Sequence, residues 1–178
     1  MKTEVIKKTT LKDYRPLILS AVYEELQQVR GNLDQDYICL AAIPDDGTEP
    51  VSVLIAQTEE TGDLNLVSLY TIPEYQQQGC ASYLLDQLCM VARRLFLWEE
   101  GETEYSILIK TVYRLPEHAE AVYDAFLKKN HFTDFYLLDE DEEYKVWGAV
   151  AEVRFYRNSD TERADAAAPD ETETEGKM

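Results

Sequence analysis

The stretch that decides the fold is Leu69-Tyr70-Thr71-Ile72-Pro73-Glu74-Tyr75-Gln76-Gln77-Gln78-Gly79-Cys80-Ala81-Ser82. It begins in an apolar, β-rich run and ends in small residues that open an amphipathic helix, with Ala81, Leu84, Leu85, Leu88, Ala92 and Leu95 recurring on one face. A strand that turns directly into a helix leaves the first N–H groups of the helix without acceptors, gathered at the positive end of its dipole. Such a junction holds phosphate. Gly79 and Ala81 let a ligand approach the backbone, and Cys80 between them reads as a small packing residue. The spacing is neither the triple-glycine dinucleotide fingerprint nor a Gly-Lys-Ser/Thr phosphate loop.

Upstream, residues 4–8 suit a short first strand. Thr10 and Asp13 then stand in capping-box spacing ahead of a helical stripe, Tyr14, Leu17, Ile18, Ala21, Val22 and Val29, that ends at Gly31. Pro16 either sits in the first turn or splits the stripe into two short helices. Residues 37–43, 51–58 and 64–70 change to a strand pattern and are joined by Pro44-Asp45-Asp46-Gly47 and Glu60-Thr61-Gly62-Asp63, which predicts an antiparallel meander.

Downstream, Arg93 and Arg94 suit the end of the helix that follows the loop. Residues 105–111 form a β-rich run, and Pro116 opens a second helix with Ala119, Val122, Tyr123, Phe126 and Leu127 inward and Asn130 as a left-handed cap. Strands at 132–138 and 144–156 flank the five acids Asp139, Glu140, Asp141, Glu142 and Glu143, read as a solvated hairpin loop. From Ser159 onward the only apolar residues are alanines and Met178, with seven acids against two bases. The expectation is one domain over residues 1–157 and a disordered acidic tail over 158–178.

Charge narrows the partners. With 35 acidic and 17 basic residues the 178-residue chain carries a formal net charge of -18, which repels a phosphate backbone and argues against nucleic acid. Cys39, Cys80 and Cys89 suggest neither a disulfide framework nor a metal motif, and no apolar run approaches the ~20 residues that span a bilayer. These features predict no metal, no membrane association and a cytoplasmic location; monomer and homodimer both remain open.

The spacing Gln76-x-x-Gly79-x-Ala81, with its approach from Leu69 through Tyr75, resembles the acyl-CoA pyrophosphate loop of the GNAT superfamily of acetyl-CoA-dependent N-acetyltransferases. The element order β-α-α-β-β-β-α-β-α-β-β over roughly residues 4–150 is similar to that family's, and implies a GNAT-like α/β (α+β) fold. That fold is a single mixed, mostly antiparallel sheet of about seven strands flanked by helices. By the resemblance, acetyl-CoA is the co-substrate and an amine the acceptor. Gln76, Gln77, Gln78, Gly79, Cys80, Ala81 and Ser82 would hold the pyrophosphate, mainly through backbone amides. Leu69, Tyr70 and Thr71 would hydrogen-bond the pantetheine arm, splayed from residues 105–111 to make the acetyl cleft.

Direct acyl transfer needs a neutral amine, a group polarising the thioester carbonyl and an acid for the leaving thiolate. The resemblance assigns polarisation to a backbone N–H near Tyr70 or Thr71, and the acid to a helical tyrosine five residues before Phe132. That position holds Leu127, and Tyr123, one turn earlier, is the candidate. Its place in an apolar stripe offers the other reading, a core aromatic. Pro116 and the Asn130-His131 pair also depart from the family's pattern. These departures keep open a non-catalytic acyl-CoA-binding sensor or scaffold. Glu74 reads as a solvent-facing turn residue beside the loop, Glu24 and Glu25 as solvated carboxylates either of which could attract a cationic amine, and His118 and His131 as exposed helix-end residues.

Overall fold

The computed structural model describes residues 1–95, 104–116, 120–140 and 143–156. The chain runs β1 (Lys2–Val5), a 3-10 helix (Leu11–Leu17), α1 (Ser20–Gln28), a 3-10 turn (Leu33–Gln35), β2 (Tyr37–Ile43), β3 (Ser52–Thr58), β4 (Leu64–Thr71), a 3-10 turn (Pro73–Tyr75), α2 (Cys80–Leu95), β5 (Glu104–Pro116), α3 (Glu120–Lys129), β6 (Asp134–Glu140) and β7 (Tyr144–Tyr156). One seven-stranded sheet has the order β1-β2-β3-β4-β5-β7-β6, antiparallel at every pair except the parallel β4 and β5. The expected mixed, mostly antiparallel sheet is present.

Two apolar layers sandwich it. On one face Leu84, Leu85, Leu88 and Ala92 of α2 and Leu127 of α3 pack on alternate residues of the strands, among them Leu40, Leu54, Leu66, Ile107, Ile109 and Ala149. On the other, Leu11, Tyr14 and Leu17 of the 3-10 helix and Val22 and Leu26 of α1 pack on Cys39, Ala41, Val53 and Ile55. Strands β2 and β3 are buried on both faces, which is why they read as near-continuous apolar runs.

Several local expectations shift. The first strand lies at Lys2–Val5 rather than 4–8, and Pro16 sits inside a 3-10 helix that splits the first helical stripe in two. Thr10 Oγ1 bonds Lys7 instead of capping that helix. Pro116 belongs to β5, opposite Tyr144, and does not open α3. Val122 and Tyr123 of α3 face solvent, because only one narrow stripe of this helix, centred on Leu127, meets the sheet. The left-handed residue after α3 is His131 (φ 69°), while Asn130 caps through its side chain, Nδ2 donating to the Phe126 carbonyl at 2.7 Å. Asp139 and Glu140 extend β6 rather than loop out. His118, Ala119 and residues 158–178 lie outside the described residues.

The feature that shapes the site is the fork between β4 and β5. Their parallel pairing covers only Leu64↔Ile109, Asn65↔Lys110 and Leu66↔Thr111. Past it an extra residue, Val67, shifts the β3–β4 register, and such a bulge bends the strand that carries it. Strand β5 meanwhile stays paired to β7 as far as Pro116. The diverging wall is therefore residues 112–116, not the expected 105–111, because Ile109, Lys110 and Thr111 are the residues still laddered to β4. At the fork Thr111 Oγ1 donates to the Leu66 carbonyl at 3.2 Å.

Candidate functional site

The loop from Thr71 to α2 is fixed by its own side chains. Gln76 Nε2 donates to the Thr71 carbonyl at 3.1 Å, Gln78 Nε2 to the Glu74 carbonyl at 2.7 Å, and the buried Cys80 Sγ to the Tyr75 carbonyl at 3.6 Å. Gln76 and Gln78 thus hold the loop's shape, and the surface they leave for a ligand is backbone. Gln77 (φ 61°) and Gly79 (φ 84°) both take the left-handed conformation, which turns successive amides outward. A Cβ built on Gly79 would meet nothing within 4 Å, so the space above the backbone is open. The first helical bond of α2 runs from Tyr83 N–H to Gly79 C=O at 2.9 Å, and the amides of the first turn, Cys80, Ala81 and Ser82, precede it. Residues 77–82 therefore bring backbone amides together at a helix N-terminus. On its flank Asp45, Asp46 and Glu74 line an open hollow of about 600 Å³ whose carboxylates do not suit an anion.

The end of β4 offers a second set of backbone groups. Ile72 N–H donates to Val51 C=O at 3.0 Å, and with Val53 opposite Tyr70 the antiparallel alternation turns Tyr70 N–H toward β3. Leu69 C=O and Thr71 N–H then point the other way, into the fork that β5 has left. Of the two amides considered from sequence, Thr71 is the one that faces the opening. Tyr70 contributes only a half-exposed ring at its edge.

Tyr123 is not a core aromatic. It is 45% exposed and stacks on Tyr113 of the diverging β5 wall, ring centroids 5.9 Å apart and 18° from parallel. Leu127, at the position the resemblance reserves for tyrosine, is 3% exposed and packs in the core. Glu25 accepts a 2.6 Å hydrogen bond from Tyr37, whose hydroxyl is pushed up to about 12 by burial and by that carboxylate. Glu24, Glu74 and His131 are exposed. Burial raises the Cys39 thiol to about 12, and burial with Asp86 nearby raises Cys89 to about 11, so neither suits a nucleophile. Among the described residues no cluster of three or more His, Cys, Asp or Glu is placed to hold a metal, and no helix is long and apolar enough to cross a membrane. Sequence reasoning missed Ser52 and Thr111, whose hydroxyls anchor the fork. For Ser52 the only signal was a polar residue opening an otherwise apolar strand; Thr111, in the middle of β5, gave none.

No family model and no curated protein matches the chain. Solved structures do. A Desulfovibrio desulfuricans protein assigned to the GNAT family of acetyltransferases superposes with a TM-score of 0.59 at 12% identity, covering 85% of this chain and 98% of that one. The Escherichia coli ribosomal-protein-S18-alanine N-acetyltransferase gives 0.54 at 13% identity over 89% and 96%. Arabidopsis thaliana NAA60, solved with acetyl-CoA, gives 0.52 at 11% over 85% and 98%. The chain has the GNAT fold.

Proposed function

We propose that this protein is an N-acetyltransferase that moves an acetyl group from acetyl-CoA to a primary amine by direct transfer in a ternary complex. The observation that carries this reading is the amide cradle of residues 77–82 standing beside a β4 edge whose Thr71 N–H opens into the fork. The cradle fits a pyrophosphate: it offers amides at a helix N-terminus, and no side chain fills the space over Gly79. Acetyl-CoA, when bound, supplies an activated thioester. Two structural neighbours, an aminoglycoside 6'-N-acetyltransferase and Arabidopsis thaliana NAA60, were solved with coenzyme A and acetyl-CoA respectively, which supports the same co-substrate here.

Every step but the deprotonation of the amine falls to a group of this chain, and that proton leaves to solvent water. Local amides and the α2 dipole hold the anion against the chain's net charge of -18. Leu69 C=O accepts from an amide of the pantetheine arm, as a strand neighbour would. Thr71 N–H polarises the thioester carbonyl, a preorganised donor that needs no rearrangement. Tyr123, exposed against the diverging wall, donates the proton to the leaving sulfur. The acidic surface draws the cationic amine before it loses its proton.

The second reading, an acyl-CoA-binding sensor or scaffold without turnover, is favoured by one observation, the buried Leu127 in the acid position. Titration calorimetry with acetyl-CoA, followed by thiol detection of CoA release with a panel of amines, separates the two. Micromolar binding with amine-dependent release supports the enzyme; binding without release supports the sensor; no binding at millimolar acetyl-CoA overturns both. For the enzyme, Tyr123→Phe lowers turnover about 10²- to 10⁴-fold with binding intact, and removal of residues 158–178 leaves turnover near wild type.

A further inference from the structure

Among the described residues, the buried serines and threonine are Ser52, Ser68 and Thr111; Ser68 and Thr111 lie where β4 leaves β5, and Ser52 stands on β3 across from the end of β4. Ser52 is fully buried and stands opposite Thr71. Its Oγ lies 2.9 Å from the Tyr70 carbonyl, to which it donates, and 2.8 Å from Thr71 Oγ1. A serine hydroxyl has one proton; with that proton on Tyr70 O, the Thr71 hydroxyl is the donor in the second bond. The result is a directed chain, Thr71 O–H to Ser52 O–H to Tyr70 C=O.

Tyr70 C=O and Thr71 N–H belong to one planar trans peptide unit, so they point in opposite directions. The Tyr70 carbonyl faces β3 and the Thr71 N–H faces the fork. A hydrogen bond donated to the carbonyl of a peptide group pulls electron density from its nitrogen and strengthens the N–H as a donor. The same bond fixes the tilt of the plane. Gln76 Nε2, held 3.1 Å from the Thr71 carbonyl, ties down the next unit from the cleft side.

We infer that Ser52 is a positioning residue: through Tyr70 C=O it orients and polarises the Thr71 N–H, which polarises the thioester carbonyl in the acetyl-transfer reading on which this inference rests. Ser52 touches no ligand. Its loss weakens carbonyl polarisation without weakening binding, and a purely structural serine does not separate the two.

The test uses acetyl-CoA labelled with ¹³C at the thioester carbonyl, bound to the full chain, with infrared detection of the labelled stretch and calorimetry on the same samples. In the wild type the stretch moves to lower frequency on binding. In Ser52→Ala about 10–30% of that movement is lost while the Kd stays within about threefold, as for a donor weakened but not removed. Thr71→Val, which removes the hydroxyl that donates to Ser52, gives a smaller loss, and Thr71→Ser restores the wild-type stretch. An unchanged stretch in a folded Ser52→Ala, or the absence of any movement in a wild type that binds, overturns the inference. If Ser52→Ala fails to fold, the Thr71→Val and Thr71→Ser pair decides it, and equal stretches in the two overturn it. A wild type that does not bind acetyl-CoA refutes the acetyl-transfer reading instead.

Discussion

Gly79 separates the chemistry of the loop from its folding. Its φ of 84° is left-handed, and a Cβ added there would meet no atom within 4 Å. Gly79→Ala therefore costs only the conformational penalty, about 1–2 kcal/mol. For a chain of this size that is roughly 2–8 °C in melting temperature. Gly79→Glu and Gly79→Lys carry the same penalty, since both side chains leave into open space. They differ in sign of charge. One carboxylate about 5 Å from one phosphate charge costs ~0.8 kcal/mol at the dielectric of water and ~3.3 kcal/mol at an effective value of 20. Two phosphate charges double this, so Gly79→Glu weakens acetyl-CoA binding at least about tenfold beyond Gly79→Ala. Gly79→Lys binds no more weakly than Gly79→Ala. The assay is titration calorimetry beside thermal melting of the three variants. Equal melting temperatures with affinities ranked Lys, Ala, Glu support the cradle. An acetyl-CoA affinity in Gly79→Glu equal to that of Gly79→Ala refutes the assignment of the pyrophosphate to this loop.

Two further perturbations probe the sheet on either side of the fork. A Cβ at Gly148 would collide with the Tyr136 ring that lies across it on the neighbouring strand. Gly148→Ala then costs about 1–3 kcal/mol as the half-exposed ring is pushed off. Chemical denaturation should show that cost largely relieved in the Gly148→Ala, Tyr136→Ala double variant, and strictly additive costs would contradict the packing argument. Asp63 accepts from the Leu108 amide at 2.9 Å and pairs with Lys110 at 3.1 Å, pinning β4 to β5 just before the fork. Burial opposes its charge, but the Leu108 and Lys110 contacts outweigh it and hold the carboxyl below its ordinary value of 3.8. A lowered folded value means stability that is present above about pH 4 and lost as pH falls through the folded value. Asp63→Asn thus destabilises by about 1 kcal/mol at neutral pH, and urea midpoints should converge with wild type in acid. A gap that stays constant on acidification would show that the charge plays no part.

How much of this was legible beforehand follows from the range of the interactions involved. The meander, α2 and the loop between β4 and α2 rest on short-range signals: period-2 runs between turn residues, a 3.6-period stripe, and small residues at a strand-to-helix junction. So Gly79 and the loop around it were found from sequence alone. The 3-10 split at Pro16 was one of two local options. The placing of α3 was not local, because its stripe of apolar residues does not say which of them meets a sheet; Leu127 does, and Tyr123 turns outward onto Tyr113. The fork depends on a bulge at Val67 and on how long β5 stays with β7, both properties of pairing between distant segments. Ser52 stands 19 residues from Thr71, and its partnership exists only once the β3–β4 register is set. The sequence by itself determined the element order and the strand–loop–helix junction around Gly79, since both follow from local backbone preference. Only the tertiary structure decided which amide faces the fork and which hydroxyl stands behind it, because strand register assigns every second backbone group to one side or the other.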